Sequence, residues 1–438
     1  MYSSRLSLRA VPSSREPVFR SRFLQLSFTC LFLFASQLAG AERDSWIATW
    51  AASPQAAAPN PKQALVNIEN QTVRERVRIS IGGNQIRIRL SNEFGSTPLR
   101  VGGATVAVSN DPVSVRPGSL HSITFGGSPF ITIPAGAPVL SDPVAFPLSP
   151  GTEISISLYF PTRVATPTLH HLGLKRAVVS QHGDHTREET IEGGALSKAS
   201  ILVTAVLVPA QPSQRLVVAF GDSIVDGDGS TVDGDRNWPS DLVRRLEKRP
   251  QGANVAVVNE GIIGNRLLSD CFLPSAGCFG LSALARFDRD ALALPGVTHI
   301  ILLEGINDLG FPGATLGEGF LADPADVRNA EDLTGAHRQL IARAHARGVK
   351  VIGGTITPFE GVDLPGYWSE SKEAVRQAVN QWIRTSGGFD GVIDFDAVLR
   401  DPEHPSRLQP RFSSPDHLHP NDAGYQAMAD AIDLARFR

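Results

Sequence analysis

The sequence has little of what marks several common classes of protein. It has three cysteines among 438 residues, which excludes a disulfide-rich scaffold. Its formal net charge is −3 at pH 7, without the basic excess or basic stripe of a nucleic-acid binder. It has no P-loop and no G-x-G-x-x-G after a predicted strand, so nucleotide binding is not indicated. What remains is a composition with 42% hydrophobic and 19% charged residues, typical of a globular protein with a large core.

Long apolar runs are also absent beyond the N-terminus, where no stretch approaches the about 20 residues that a transmembrane helix needs. At the N-terminus, arginines precede an apolar run over residues 23–35, and Ala39-Gly40-Ala41 supplies the small residues of a cleavage site. The pattern predicts a signal peptide over residues 1–41, cleaved on export to the periplasm or the medium. A signal anchor is the alternative, because such segments differ mainly in length and flanking residues. We therefore expect a mature protein with no stable membrane span.

The few cysteines have a specific consequence in an exported chain. Cys30 falls within the predicted signal peptide, which leaves Cys271 and Cys278 in the mature protein. An even number of cysteines in an oxidising compartment predicts a disulfide between Cys271 and Cys278 that closes a small loop. Two buried free thiols are the alternative, since cysteine is also a small apolar residue.

Residues 42–208 have the pattern of an all-β domain. Apolar and polar residues alternate over 77–81 and again over 86–90, with Gly82-Gly83-Asn84 between them, which predicts a hairpin. Further short strands separated by glycine and proline, and the lack of any long helical period, predict a β-sandwich. Residues 209–214 have the composition of a linker.

Residues 215–438 have a different pattern, in which short apolar strands alternate with amphipathic helices. The predicted strands cover residues 216–220, 255–258, 299–303, 349–353 and 392–395. The predicted helices cover residues 239–249, 333–347, 373–384 and 421–435, with Asn421 as the N-cap of the last. This alternation predicts parallel strands joined by right-handed crossovers, so we expect an α/β domain with a doubly wound sheet.

Chemically active side chains follow several of these strands. Ser223 follows the first strand, Asn307 the third, and Asp416 and His419 the last, and open parallel sheets bind ligands beyond the carboxyl ends of their strands. Ser223 is the predicted nucleophile, and it needs a base to take its proton. The i, i+3 spacing of Asp416 and His419 places both side chains on one face of a helical turn, so the carboxylate can orient the imidazole. His417 is the competing base.

An acyl-transfer site also needs hydrogen-bond donors for the oxyanion. Asn307 offers a side-chain N–H, and Gly261 offers a backbone N–H with no side chain in the way. Together with the amide of Ser223, these groups predict an oxyanion hole made by Ser223, Gly261 and Asn307. Asp222 is expected to order its loop by hydrogen bonding rather than to take part in the chemistry.

These motifs resemble, in order and spacing, the blocks of the SGNH hydrolase family, also called GDSL-type lipases and acylhydrolases. The resemblance covers residues 213–438 and is carried by Gly221-Asp222-Ser223-Ile224, Gly261, Gly305-Ile306-Asn307-Asp308 and Asp416-His417-Leu418-His419-Pro420. Ile224 stands where leucine gives the motif its name, a tolerated exchange at a buried position. The resemblance implies a flavodoxin-like three-layer α/β/α fold and ester hydrolysis without a metal or other cofactor.

A finer resemblance, to an exported bacterial branch associated with plant-polysaccharide deacetylation, is carried by Ile224-Val225-Asp226-Gly227, Gly305-Ile306-Asn307 and Thr355-Ile356-Thr357-Pro358-Phe359. It implies a secreted serine esterase that removes short acyl groups, acetyl above all, from a polysaccharide or a small ester. A lipase or thioesterase for longer chains, and a non-catalytic carbohydrate-binding or adhesion protein, are the alternatives. No nucleic-acid partner is expected, and the sequence leaves the oligomeric state open.

Two segments have patterns related to metal sites. The run over residues 226–235 resembles the start of a calcium loop. Counted from Asp226, however, the sixth position is Thr231 rather than glycine and the twelfth is Asn237 rather than glutamate. Further candidate metal ligands are His182, Asp184 and His185, and also His170 and His171, but a third ligand at a suitable spacing is missing, so solvated loop histidines are the favoured interpretation. No metal site is therefore predicted.

Overall fold

The computed structural model of the protein describes residues 45–57, 67–249, 254–270 and 279–437. The predicted signal peptide over residues 1–41 lies outside the described residues. Cys271 and Cys278 also lie outside them, so the disulfide between these cysteines stays a prediction.

The described residues between 45 and 209 form strands and turns, without a helix. The strands are β1 (Trp46–Ala51), β2 (Gln55–Ala56), β3 (Gln71–Arg78), β4 (Gly83–Ser91), β5 (Leu99–Val101), β6 (Gly103–Val108), β7 (His121–Ser122), β8 (Ile131–Ile133), β9 (Pro138–Leu140), β10 (Val144–Leu148), β11 (Glu153–Phe160), β12 (Thr168–His170), β13 (Ala177–His182), β14 (Ala195–Ser197), β15 (Ser200–Ile201) and β16 (Val203–Pro209). One sheet has the order β1-β16-β4-β10 with β9 beside β4, a second has the order β14-β13-β3-β11-β6-β7, and a small third sheet is β15-β12-β2. The predicted β-rich character is confirmed, and its arrangement as a sandwich stays a prediction.

The hairpin predicted around Gly82-Gly83-Asn84 is wrong. Strands form on both sides of this turn, but β3 pairs with β11 and β13, whereas β4 pairs with β16, β9 and β10. The backbone between them bonds to β1 instead: the N–H of Ser80 donates to Thr49 O at 2.9 Å, and the N–H of Ile81 donates to Thr49 Oγ1 at 2.8 Å. The chain therefore passes from one sheet to another here.

From Arg215 onward, strands and helices alternate. The strands are β17 (Arg215–Gly221), β18 (Val255–Gly261), β19 (Val297–Leu303), β20 (Thr315–Leu316), β21 (Gly319–Phe320), β22 (Lys350–Gly354) and β23 (Gly391–Ile393). The helices are α1 (Ser223–Asp226), α2 (Trp238–Glu247), α3 (Ala283–Phe287), α4 (Ile306–Gly310), α5 (Ala330–His345), α6 (Glu370–Thr385), α7 (Phe395–Leu399) and α8 (Asp422–Asp430). A π-helical turn (Asp288–Leu292) extends α3, and a 3-10 turn (Leu434–Phe437) follows α8.

Five of these strands form one parallel sheet in the order β18-β17-β19-β22-β23. Numbered along the chain this order is 2-1-3-4-5, the flavodoxin-like arrangement. All five predicted strands are present, so the prediction of an α/β domain is confirmed. In β17 every residue after Arg215 is buried, as expected for a central strand covered on both faces. Strand β18 runs on to Gly261, beyond its predicted end at residue 258.

The predicted helices are also present, with shifted ends. Asn237 caps α2, whose first turn contains a proline, and Asn421 caps α8 as predicted, each by accepting backbone N–H groups with its side chain. Helix α8 ends at Asp430, so the predicted end at residue 435 is wrong: the last residues form the separate 3-10 turn.

The β-rich and α/β parts of the chain are joined by hydrogen bonds at β1 and beside it. The N–H of Ala48 donates to Pro295 O at 3.0 Å, and the N–H of Val257 in β18 donates to Ser80 Oγ at 3.2 Å. The described residues from Ser45 onward form one compact unit, and the division of the chain at residues 209–214 stays a prediction. Within the described ranges, no helix is long and apolar enough to cross a membrane.

Candidate active site

Ser223 lies at the turn between β17 and α1, at the carboxyl end of the parallel sheet. Asp222 caps α1 by accepting the N–H of Ile224 with Oδ1 at 2.9 Å, so its side chain orders this turn. Gly221 has no room for a side chain, because a Cβ there would lie 1.9 Å from Leu303 O. The close approach of the two strands fixes the turn that presents Ser223.

Ser223, His419 and Asp416 form a continuous row of hydrogen bonds. Ser223 Oγ lies 2.7 Å from His419 Nε2, and His419 Nδ1 lies 2.6 Å from Asp416 Oδ2. The other oxygen of Asp416 accepts the N–H groups of Leu418 and His419, at 2.9 and 3.0 Å, and the hydroxyl of Ser414 at 2.6 Å. An Asx turn of this kind, rather than the predicted helical turn, sets the spacing of the two side chains. The structure thus brings together the three side chains that the sequence predicts as a triad.

The surroundings of this row strengthen the base. Burial alone lowers the pKa of His419, but the hydrogen bond to Asp416 and the negative charges of Asp228 and Asp416 outweigh burial and raise the pKa above 6.5. Asp228 contributes because its Oδ2 lies 3.8 Å from His419 Nε2. Burial raises the pKa of Asp416, but the bonds from His419 and Ser414 hold it well below 3.8. His419 is therefore a stronger base than a free histidine, and Asp416 stays ionised to stabilise the imidazolium.

His417, the competing base in the sequence, takes no part in this row. Its side chain is exposed, and its backbone has a φ of 58° in the left-handed region. Its N–H donates to Ser414 O at 3.2 Å, which helps to form the turn between Asp416 and His419. The geometry favours His419 over His417 as the base.

Asn307, in the first turn of α4, is fixed at both ends of its amide. Its Nδ2 donates to Asn265 O at 2.9 Å, and its Oδ1 accepts the hydroxyl of Tyr367 at 2.8 Å. Because Nδ2 carries two protons, one remains to donate to a bound substrate. Tyr367 was not identified by the sequence analysis, since no motif or spacing connects it with Asn307.

The N–H of Gly261, predicted as an oxyanion donor, is already engaged: it donates to Asn259 Oδ1 at 2.9 Å. Glycine is needed there for packing, because a Cβ at Gly261 would lie 2.2 Å from Asp226 N. The predicted role of Gly261 does not fit this arrangement. Gly264 fits the role of oxyanion donor better. It precedes Asn265, whose carbonyl oxygen accepts a hydrogen bond from the Asn307 side chain, and no described group accepts the N–H of Gly264. Its φ of 70° also requires the freedom of glycine.

A buried arginine, which the sequence analysis missed, joins the segments around the site. The guanidinium of Arg286, which is 0% exposed, donates to Gly221 O at 2.8 Å, Glu260 O at 2.9 Å and Asn265 Oδ1 at 2.8 Å. It also donates to Ser53 Oγ in the β-rich part of the chain at 3.0 Å. One side chain thereby fixes the ends of β17 and β18 and the segment that follows β18. Its partners lie up to 233 positions away, so no local pattern marks it.

Three carboxyl groups are buried close to the site. Burial raises the pKa of Asp222 to about 7 and that of Asp308 to about 6, and it raises the pKa of Glu304 well above 4.5. Asp308 accepts the N–H groups of Leu267 at 2.6 Å and Leu268 at 3.0 Å. Neighbouring carboxyl groups in an apolar setting resist ionisation, so part of this set stays protonated near neutral pH.

The part of the chain that the structure describes contains no group of three or more His, Cys, Asp or Glu side chains placed to hold a metal ion. The run over residues 226–235, which resembles a calcium loop in sequence, has separate partners for its carboxylates. Asp233 pairs with Arg76 at 2.6 Å, and Asp235 pairs with Lys175 at 2.8 Å. These carboxylates therefore point to different cationic side chains rather than to one centre.

The model of the GDSL-like Lipase/Acylhydrolase family matches residues 219–427, and a comparison with curated proteins found no match. Similar solved structures include a GDSL-like lipase from Bacteroides thetaiotaomicron VPI-5482, at 18% identity over 52% of this chain and 89% of that chain, with a TM-score of 0.36. Axe2, an acetylxylan esterase from Geobacillus stearothermophilus, matches at 21% identity over 51% of this chain and 93% of that chain, with a TM-score of 0.36.

Proposed function

We propose that the protein is an exported serine esterase for short acyl groups. Residues 219–427 belong to the GDSL-like lipase/acylhydrolase family, so the protein is a carboxylic ester hydrolase. The observation that carries the proposal is the row of hydrogen bonds from Ser223 through His419 to Asp416. Such a row supplies a nucleophile, a base and the carboxylate that orients the base.

The reaction proceeds in two halves through an acyl-enzyme. Ser223 Oγ attacks the ester carbonyl carbon while His419 Nε2, 2.7 Å away, takes the hydroxyl proton. Asp416 stabilises the resulting imidazolium through Nδ1. His419 then gives the proton to the leaving alkoxide oxygen, so the alcohol departs and the acyl group remains on Ser223. In the second half, water gives a proton to His419 as it attacks the acyl carbon, and the proton returns to Ser223 Oγ as the acid leaves.

Three N–H groups are available to stabilise the oxyanion in this proposal. The Ser223 N–H stands at the first position of α1, where a helix offers no acceptor of its own. The Gly264 N–H and the second proton of Asn307 Nδ2 are the other two donors, because neither is taken by a described group. An oxyanion donor of this kind contributes about 2.7–4 kcal/mol of transition-state stabilisation.

The aromatic side chains beside Asn307 support a short acyl group. The Phe311 and Phe359 rings pack against Tyr367, with ring centroids 6.0 and 5.7 Å apart. All three residues are at most 5% exposed, so they fill this side of the site instead of lining a groove. A long acyl chain would need an apolar groove to bury its surface. Since the sequence predicts export, we extend the proposal to acetyl esters on polysaccharides outside the cytoplasm.

The proposal is tested with nitrophenyl esters from acetyl to palmitoyl, with acetylated xylan, and with a fluorophosphonate that labels activated serines. We expect kcat/KM to be highest for acetyl, acetate to be released from xylan, and Ser223→Ala to lose labelling and turnover by orders of magnitude. An optimum at long acyl chains with no acetate from xylan would identify a lipase or thioesterase. Neither labelling nor hydrolysis in the wild type would identify a non-catalytic binding protein.

A further inference from the structure

His170, at the end of β12 in the β-rich part of the chain, is buried with both ring nitrogens engaged. Its Nδ1 lies 3.0 Å from Ser53 O, and its Nε2 lies 3.1 Å from Asp226 Oδ1. A carbonyl oxygen can only accept, so Nδ1 carries a proton and donates to Ser53, and the contact with Asp226 holds a second proton. Burial lowers the pKa of His170, but Asp226 outweighs burial and raises it above 6.5.

Asp226 connects His170 to the candidate active site. It is the last residue of α1, the helix that begins at Ser223. Its second oxygen, Oδ2, accepts the N–H of Ile263 at 3.0 Å, and Ile263 directly precedes Gly264. One carboxylate, 4% exposed, thus joins the β-rich part of the chain, the Ser223 helix and the segment that carries the Gly264 N–H.

The segment over residues 262–265 depends on this carboxylate at its centre. At one end, the N–H of Ile262 donates to Gly221 O at 3.0 Å, and at the other end Asn265 bonds to Arg286 and Asn307. Between these ends, the N–H of Ile263 donates to Asp226, and the N–H of Asn265 donates to Ile262 O at 3.1 Å, which closes the turn around Gly264. The direction of the Gly264 N–H therefore depends on this turn and on the position of Asp226.

We propose that His170 is a positioning residue of the hydrolase site, which acts through Asp226 to aim the Gly264 N–H at the substrate oxyanion. This inference rests on the proposed function, and it assigns the β-rich part of the chain a role in the hydrolysis. An oxyanion donor binds the transition state more strongly than the bound substrate, so displacing it lowers kcat and leaves KM nearly unchanged. A misplacement of about 1 Å can cost about 10²-fold in rate.

The experiment compares His170→Leu with His171→Leu, a matched control at the next position. His171 Nε2 bonds to Ala56 O at 3.0 Å, within the β-rich part of the chain. With nitrophenyl acetate as substrate, kcat should fall about tenfold or more in His170→Leu with KM within about twofold, whereas His171→Leu should keep the wild-type kcat. His170→Gln, whose amide can still donate to Asp226, should recover part of the loss.

Hydrogen exchange at the Ile263 amide gives a second readout that does not depend on activity. Exchange should be faster in His170→Leu and unchanged in His171→Leu. An unchanged kcat in a folded His170→Leu, an equal loss in His171→Leu, or unchanged exchange at Ile263 would overturn the inference. If the leucine variant does not fold, His170→Asn, which is too short to reach Asp226, replaces it with the same expected result. Absence of esterase activity in the wild type would instead refute the proposed function. The hydrogen-exchange measurement at Ile263 would still test whether His170 positions this segment.

Discussion

Asp228 places a negative charge beside the base of the proposed triad, and its removal should shift the pH dependence of hydrolysis. Its Oδ2 lies 3.8 Å from His419 Nε2, and its charge helps to raise the pKa of His419 against the lowering effect of burial. His419 accepts a proton only when it is neutral, so the rate falls as the pH drops through its pKa. Asp228→Asn removes the charge and lowers that pKa, which should move the acid limb of the profile to lower pH.

The size of the shift follows from distance and exposure. Two unit charges about 4 Å apart interact by about 1 kcal/mol in water and by about 4 kcal/mol at the effective dielectric constant of a protein surface. The side chain of Asp228 is 32% exposed, so solvent screens its charge and the lower value applies. Because one pKa unit corresponds to about 1.4 kcal/mol, the midpoint of the acid limb should fall by about 0.7 unit.

The assay is kcat/KM for nitrophenyl acetate across the pH range in which histidine titrates, at low and at high salt. Asp430→Asn is the control, because Asp430 is exposed and pairs with Arg245 at 3.2 Å. High salt should reduce the shift that Asp228→Asn produces, since salt screens exposed charges. A midpoint that stays in place in Asp228→Asn, or that moves equally in the control, would refute the argument that Asp228 raises the pKa of the base.

Four other substitutions separate the roles within the site. Asn307→Ala should lower kcat by about 10²–10³-fold because it removes an oxyanion donor, and an unchanged kcat would show that Asn307 is only structural. Tyr367→Phe removes the hydroxyl that holds Asn307 Oδ1 and should cost about 0.5–1.5 kcal/mol in the activation free energy from kcat; full activity would show that Asn265 alone orients the amide. His417→Ala should leave kcat within about twofold because this side chain is exposed, whereas His419→Ala should be as damaging as Ser223→Ala; the reverse result would reassign the base.

The α/β part of the fold could be predicted from the sequence because its signals are local. Each strand is a short apolar run and each long helix has its own cap and periodicity, so their order alone defines the sheet. In the β-rich part, alternation located strands but not their neighbours. The turn chemistry of Gly82-Gly83-Asn84 indicated a hairpin, yet Thr49, far away along the chain, takes the N–H groups of Ser80 and Ile81. Strand pairing depends on such non-local contacts more than on local propensity.

The sequence could predict only those parts of the site whose chemistry depends on particular side chains. A serine, a histidine and an aspartate after strand ends can be found by position, whereas a backbone donor cannot, because every residue except proline has an N–H. Whether Gly261 or Gly264 is free depends on the side chain of Asn259, which bonds back to Gly261. The sequence suggests His170 only as a candidate metal ligand and does not single out Arg286, because the roles of both come from partners that only the folded chain brings close.

Glu304 should make the protein less stable as the pH rises, because its carboxyl group is buried. It follows the last residue of β19, is 1% exposed, and finds no hydrogen-bond partner for either oxygen among the described residues. Burial first, and then the charge of Asp222, raises its pKa well above 4.5. A carboxyl group with a raised folded-state pKa binds its proton more tightly in the folded protein. That stabilisation is complete below the unfolded-state pKa and is lost as the pH rises through the folded-state pKa.

Glu304→Gln keeps the shape of the side chain and removes the titration, so it should abolish this dependence. Relative to the wild type, the free energy of unfolding of the variant should increase by about 1.4 kcal/mol per pH unit between the two pKa values and then level off. Urea unfolding at mildly acidic and mildly alkaline pH measures the difference, with Glu318→Gln at an exposed position as the control. If the variant and the wild type lose stability in parallel, the carboxyl group of Glu304 ionises in the folded protein as easily as in the unfolded chain, and the effect argued from its burial is wrong.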